Sequence, residues 1–348
     1  MQNMNAGVVV VLGTGGTIAG AAASAQDNVG YTAGQLSVQQ LVAAVPALAQ
    51  GDAWPSQVSL PPSGGGRRKA AAWGSDVRME CEQVANIDSK DMGHAVWQRL
   101  AQRCAFHLTR SEVAGIVVTH GTDTLEETAY FLHRVLAPTK PVVLTAAMRP
   151  ATSLQADGPQ NLLDAVSVAR EAGARGVVAV LGGRVFGGCE LRKVHTYRLD
   201  AFDAGDAGPL AVIEEGGLRM FRAWPEGAAV GIDAIARDLS LWPRVELLIG
   251  HAGVTGALVD LLVASGVQGI AVAGVGNGHL ASEFEAALQR ARAAGVSVLC
   301  ASRCAFGAVL VAEGVDAATT LPTAGTLSPA QARIELLLRG LAAGHAPA

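Results

Sequence analysis

The chain has 348 residues, half of them hydrophobic, and its 26 basic and 30 acidic residues leave a formal net charge of −4. That length supports two domains with a sizeable core, and the charge is too balanced to suggest a polyanion-binding surface, so nucleic acid is not an expected partner. No apolar run approaches the roughly 20 residues that cross a bilayer, and the start Met1-Gln2-Asn3-Met4-Asn5 lacks the basic region of a signal peptide, so no membrane is expected and a cytoplasmic location follows.

The first predicted strand, residues 8–12, is a run of four valines and a leucine that leads directly into Gly13-Thr14-Gly15-Gly16-Thr17-Ile18-Ala19-Gly20. A dinucleotide-binding turn is excluded there. Ile18 stands where the third glycine or alanine belongs, and Gln26-Asp27-Asn28 leads into Gly30 and Tyr31, without the second strand and acidic residue of that unit. A tight glycine turn with Thr17 capping a helix explains this segment alone. Residues 51–75 have the composition of an exposed flexible insertion, with Pro55, Pro61, Pro62, Gly64-Gly65-Gly66 and Arg67-Arg68-Lys69, and receive no role.

A second strand, 115–119, runs into Thr119-His120-Gly121-Thr122-Asp123-Thr124. The pattern then predicts a helix over 125–135, a strand over 141–145, a helix over 161–171 and a strand over 176–181. This alternation is βαβ organisation with a parallel sheet. It closes an N-terminal catalytic α/β domain at residue 211; a linker covers 212–243, and a smaller C-terminal α/β domain fills 244–348 with strands at 245–250, 269–273 and 296–300. Its last helix is announced by Ser328 as N-cap and Pro329 at the first helical position, ahead of the stripe Ile334, Leu337, Leu338, Leu341. The five cysteines form no even framework and no metal-ligand spacing with histidine, so they are expected as free buried thiols.

Two hydroxyls and a carboxylate delivered where parallel strands end point to a nucleophilic hydrolase, because that edge is where ligands bind in α/β sheets. A threonine hydroxyl is a poor nucleophile at neutral pH. It needs a nearby base and donors for the developing oxyanion, and the glycines beside Thr17 are expected to leave backbone N–H groups open for the second purpose. Asp123 has an alternative use as a cap for the helix that follows. His120 is expected to pack or hydrogen-bond beneath the site without titrating in catalysis.

Gly15-Gly16-Thr17-Ile18-Ala19-Gly20 and the run from His120 through Asp123-Thr124-Leu125-Glu126-Glu127-Thr128-Ala129 resemble the two signature segments of the bacterial-type L-asparaginase and glutaminase-asparaginase family. The resemblance continues in family order through Asn86-Ile87-Asp88-Ser89, Ala147-Met148-Arg149-Pro150, Ala156-Asp157-Gly158-Pro159, Ala273-Gly274-Val275-Gly276-Asn277-Gly278 and Gly325-Thr326-Leu327-Ser328-Pro329. It implies Thr17 as nucleophile, with the hydroxyl of Tyr31 closing over it, and Thr122 as second catalytic threonine, hydrogen-bonded to Lys193. It further implies Asp123 on the substrate α-amino group, Ser89 on the α-carboxylate, and backbone groups near Gly16, Thr122 and Ala147 around the scissile amide. The implied substrate is L-asparagine, with some L-glutamine cleavage, and no metal or organic cofactor. A preferential glutaminase, an amidotransferase subunit or an inactive amino-acid-binding member are the alternatives. The family also implies a homo-oligomer, a dimer of dimers, in which Asn277, His279 and Glu313 contribute to a neighbour's site. Lys90 departs from the pattern, since many members have an uncharged or acidic residue after the serine; it is expected to face Asp88, Asp91 or solvent.

Overall fold

The computed structural model of the chain describes residues 7–49, 78–314 and 320–344. The predicted 51–75 insertion lies outside the described residues. The chain divides into two compact units, Met1–Ile232 and Asp233–Ala348.

In the first unit, strand β1 (Val8–Gly15) is buried along its whole length, which is why its sequence is a continuous apolar run with no alternation. β2 (Arg78–Ile87) and β3 (Val113–Thr119) lie parallel on either side of it, followed outward from β3 by β4 (Pro141–Thr145) and β5 (Gly176–Leu181). Beyond β5 the sheet turns antiparallel through β6 (Arg184–Gly187), and a separate two-stranded ribbon pairs β7 (Arg192–Lys193) with β8 (Phe202–Asp203). The hairpin of β9 (Ala211–Glu214) and β10 (Gly217–Met220) completes the order β10-β9-β6-β5-β4-β3-β1-β2. The chain steps from β1 to one side and returns to the other, so the strand order reverses between β1 and β3. In open α/β sheets the crevice at that reversal binds the ligand. Register places Gly13 of β1 level with Thr119 of β3, and Thr119 level with Thr145 of β4, so the three carboxyl ends form one rim.

Helices Leu125–Leu136 and Gly158–Ala169 make the crossovers, and Val9, Val11, Val117, Val143, Ala165 and Val166 lie in one buried cluster. The second of these helices begins ahead of the expected residue 161, because Gly158 and Pro159 form its first turn, where a proline loses no hydrogen bond. Residues 211–220, read from sequence partly as linker, belong to the sheet edge: Glu215 and Gly216 take positive φ values of 50° and 72°, the two-residue turn that matches strand twist.

The second unit holds a parallel sheet of β11 (Val245–Ile249), β12 (Gly269–Gly274) and β13 (Ser297–Ser302) in that order. Ile270, Val272, Phe284 and Leu288 form part of its core. The helix Pro329–Ala343 carries a reciprocal capping box between Ser328 and Gln331, and its predicted stripe is buried at Ile334, Leu337, Leu338 and Leu341. All five cysteines are free; Cys104 and Cys300 are buried, whereas Cys304 is exposed, contrary to the expectation of buried thiols.

Candidate active site

The rim of β1 and β3 is closed by backbone touching backbone. A Cβ on Gly16 would overlap the Cα and N of Gly121, and a Cβ on Gly121 would overlap the Oγ of Ser89. Gly16 also adopts φ 81°, a left-handed conformation that side chains disfavour. Only glycine at both positions lets the two turns meet, and the next residue on each turn is a threonine, Thr17 on one and Thr122 on the other.

Thr17 is 6% exposed, and its Oγ1 lies 2.6 Å from the Oη of Tyr31. The segment carrying that tyrosine is tied to the loop after β4. Ala151 N–H donates to Gly20 O at 2.9 Å, Ala22 N–H to Thr152 Oγ1 at 2.9 Å, and Ser153 Oγ–H to Asn28 Oδ1 at 2.6 Å. On the β3 side, Lys193 Nζ donates to Thr122 Oγ1 at 2.9 Å and to Asp123 Oδ1 at 2.6 Å. Asp123 therefore spends a carboxylate oxygen on the lysine; the helix that follows is capped from Thr124 without a side-chain bond. Ser89, 2% exposed at the end of β2, accepts Asp123 N–H on its Oγ at 3.2 Å and Thr124 Oγ1–H on its carbonyl at 2.8 Å. Thr17, Tyr31, Ser89, Thr122, Asp123 and Lys193 thus belong to one unit, linked in two hydrogen-bonded sets.

Gly16 contributes shape. Its N–H, expected to be open for an oxyanion, donates to Ile87 O at 2.8 Å. Ala147 is fully buried in the loop after β4, which Asp157 fixes by accepting Met148 N–H and Arg149 N–H, each at 3.0 Å. Asn161 Nδ2 reinforces it, donating to Ala146 O at 2.9 Å. Asn277, His279 and Glu313 lie in the second unit. There the Asn277 amide both donates to and accepts from the Leu310 backbone, His279 closes a short bridge with Val275, and Glu313 sits on an exposed turn.

His120 is fully buried below the rim. Its Nδ1 lies 2.7 Å from Gly121 O, and a carbonyl only accepts, so Nδ1 carries the proton. Nε2 must then accept the Thr128 hydroxyl at 2.9 Å, whose oxygen accepts the Trp97 indole N–H at 2.8 Å. Every donor in this chain has one acceptor, and the ring is neutral: burial pushes its pKa down to about 4. Between the ordinary value of 6.5 and that value, the unfolded chain binds a proton that the folded chain refuses. Stability is therefore lost as pH falls, by about 2 kcal/mol from this one group between roughly pH 7.5 and pH 5. His120→Asn, which keeps a donor for Gly121 O, is expected to be less stable at neutral pH and to lack that slope. Urea unfolding of both proteins across the range checks it, and an unchanged slope would remove the assignment.

Lys90 points away. Its Nζ lies 2.7 Å from Asp91 Oδ2 and 3.2 Å from Asp88 Oδ2, and its side chain is 63% exposed, in agreement with the expected outward orientation. Lys90→Gln is expected to change kcat/KM by less than about tenfold; a large change confined to KM would contradict that placement.

Sequence reasoning left Glu126, Asp157 and Asn161 without roles, although Glu126 and Asp157 stand inside the segments that carry the family resemblance. The comparisons agree with that resemblance. The family model described as asparaginase, N-terminal, matches residues 8–226, and the glutaminase/asparaginase C-terminal domain matches residues 244–347. L-asparaginase 2 of Escherichia coli K12 is 35% identical over 95% of this chain and 88% of its own length. The glutaminase-asparaginase of Pseudomonas fluorescens biotype A is 34% identical over 94% and 84%. Among solved structures, a probable cytoplasmic L-asparaginase from Campylobacter jejuni superposes with a TM-score of 0.82 at 32% identity, covering 96% of this chain and 94% of that one. Among the described residues, no helix is long and apolar enough to cross a membrane. With both halves matched in order and the fold shared at this identity, the chain belongs to the asparaginase/glutaminase family of amidohydrolases.

Proposed function

We propose that the protein hydrolyses the side-chain amide of L-asparagine to L-aspartate and ammonia through an ester on Thr17, with L-glutamine as a side substrate. The observation that carries this reading is the pairing of two hydroxyl systems across the Gly16–Gly121 contact: Thr17 with Tyr31 at 2.6 Å, and Thr122 with Lys193 at 2.9 Å. Thr17 Oγ1 attacks the amide carbon, and its proton leaves through the hydroxyl bonded to it. The same proton is then delivered to the departing nitrogen, so ammonia leaves neutral. Backbone N–H groups of the turns at Thr122 and Ala147 hold the oxyanion, at about 3 kcal/mol per donor. Water then attacks the ester; its proton passes through Thr122 to Lys193 in the neutral amine form and from there to the departing Thr17 oxygen as the ester bond breaks, which restores both Thr17 and the amine. Ser89 takes the substrate α-carboxylate. Asp123 takes the α-ammonium with the carboxylate oxygen that the lysine does not use, since an ionised carboxylate has two oxygens to offer.

The test is ammonia release on L-asparagine and L-glutamine side by side, with hydroxylamine added in a second series. We expect kcat/KM at least about tenfold higher for L-asparagine, and β-aspartyl hydroxamate formed at the expense of aspartate, because hydroxylamine competes with water for the ester. A reversed ratio makes the protein a glutaminase; absence of hydroxamate removes the covalent step. On the family pattern Asn277, His279 and Glu313 serve a neighbouring copy, so the expected active species is a dimer of dimers. Light scattering that finds a fully active monomer rejects the shared site.

A further inference from the structure

Lys193 sits on a ribbon that is too short to hold it. The β7–β8 pair contributes two residues from each strand, Arg192 opposite Asp203 and Lys193 opposite Phe202, and an isolated ladder of that length is marginal in water. In an antiparallel pair alternate N–H groups face the partner. Val194 N–H donates to Ala201 O across this ribbon at 2.8 Å, so Lys193 N–H faces outward. The group that meets it is Glu126, whose Oε2 accepts that N–H at 2.6 Å.

We propose that Glu126 is a positioning residue for Lys193, its carboxylate fixing the lysine's main chain so that Nζ is delivered to Thr122 Oγ1. The lysine is then gripped at both ends by one short stretch, since Thr122 and Asp123 hold Nζ and Glu126 holds the backbone. Glu126 lies in the first turn of the helix Leu125–Leu136, where a carboxylate is favoured, so its acceptor stands on a rigid element. An error of about 1 Å in the placement of a reacting group costs on the order of 100-fold in rate. This inference rests on the role of Lys193 given above.

The grip depends on pH. Burial raises the Glu126 carboxyl to about 7; the neighbouring Glu127 acts in the same direction, while the accepted Lys193 N–H and the charges of Arg192 and Lys193 oppose it. Arg192 in turn faces Glu126 and Asp206. An ionised carboxylate is the stronger acceptor, so the hold on Lys193 weakens as pH falls through neutrality.

Lys69, Lys90, Lys140 and Lys193 are the only lysines of the chain, so selective ¹⁵N-lysine labelling of the full-length protein isolates the amide in question, assigned by its loss in Lys193→Arg. The Lys193 amide shift is expected to titrate with a midpoint near 7 in the unsubstituted protein and not in Glu126→Gln. In parallel, Glu126→Ala should lower kcat at least about tenfold with KM within about threefold. Protonation of Glu126 should give the unsubstituted protein an acid limb in kcat, a fall of up to about threefold below about pH 7, whereas Glu126→Gln, which keeps an uncharged carbonyl acceptor at every pH, should hold kcat within about threefold and show no such limb. A Lys193 amide that does not titrate, an acid limb that persists in Glu126→Gln, or unchanged kcat in Glu126→Ala each overturns the proposal. Near-ultraviolet circular dichroism tells a misfolded alanine variant from a mispositioned lysine, and the glutamine variant decides in either case. A protein that releases no ammonia at all fails the functional reading instead, and the amide titration still decides the role of Glu126.

Discussion

Thr17→Ala is expected to lower kcat on L-asparagine by at least about 10³-fold, because it removes the hydroxyl on which the proposed ester forms. The substitution removes one oxygen and one methyl group from a residue that is 6% exposed, so the cavity is small and the fold should persist, at a cost of about 1 kcal/mol. The lost bond is the 2.6 Å contact with Tyr31 Oη. Ser89 and Asp123 lie outside the change, so binding of L-aspartate, measured by calorimetry, should fall far less than turnover. Thr17→Ser keeps the oxygen and should recover part of the rate. Near-wild-type ammonia release by Thr17→Ala, from a preparation free of host asparaginase, would mean that the nucleophile lies elsewhere.

Lys193→Met should lose about 10² to 10³ in kcat, since methionine keeps most of the stem and none of the amine to which proton transfer is assigned in the proposed mechanism. Two bonds go with it, to Thr122 Oγ1 and to Asp123 Oδ1. The side chain of Asp123 is 53% exposed, so water solvates its freed oxygen and the loss of stability should stay near that of a surface ion pair, about 1 kcal/mol or less. Thr122→Val should cost a comparable amount. The double variant tests whether they act as one unit: coupled groups give a double variant little worse than the worse single. Rate losses that multiply would show that the lysine and the threonine act independently.

Strands buried on both faces were legible because burial forces a continuous apolar run, as in Val8 to Leu12 of β1 and throughout β5. β2 escaped notice because it is an edge strand carrying Glu80 and Glu82, residues that look like loop until their partners are known. Those partners are Arg110 at 2.7 Å from Glu80 and Arg103 at 2.6 Å from Glu82, contributed by the helix His94–Leu108 and the turn after it. Thr17 and Thr122 could be read as candidates for the site from strand-to-turn position alone. Lys193 could not, because its two-residue strand has no periodicity; only the family resemblance marked it. Glu126 was legible from neither source, since its role is a hydrogen bond to a backbone group 67 positions away. The oxyanion expectation at Gly16 failed for a related reason: the partner of its N–H, Ile87 O, is supplied by the end of β2.

The contact of Gly16 with Gly121 limits how this enzyme can be altered. Main chain against main chain leaves no side chain to enlarge, shrink or recharge at the point where the two turns meet. The Gly16–Gly121 contact itself therefore offers no side chain through which substrate preference could be changed. Side chains do join the tyrosine-bearing segment to the loop after β4, at Asn28, Thr152 and Ser153. Substitutions there leave the main-chain contact untouched, whereas saturation at positions 16 and 121 is expected to return only glycine among active clones.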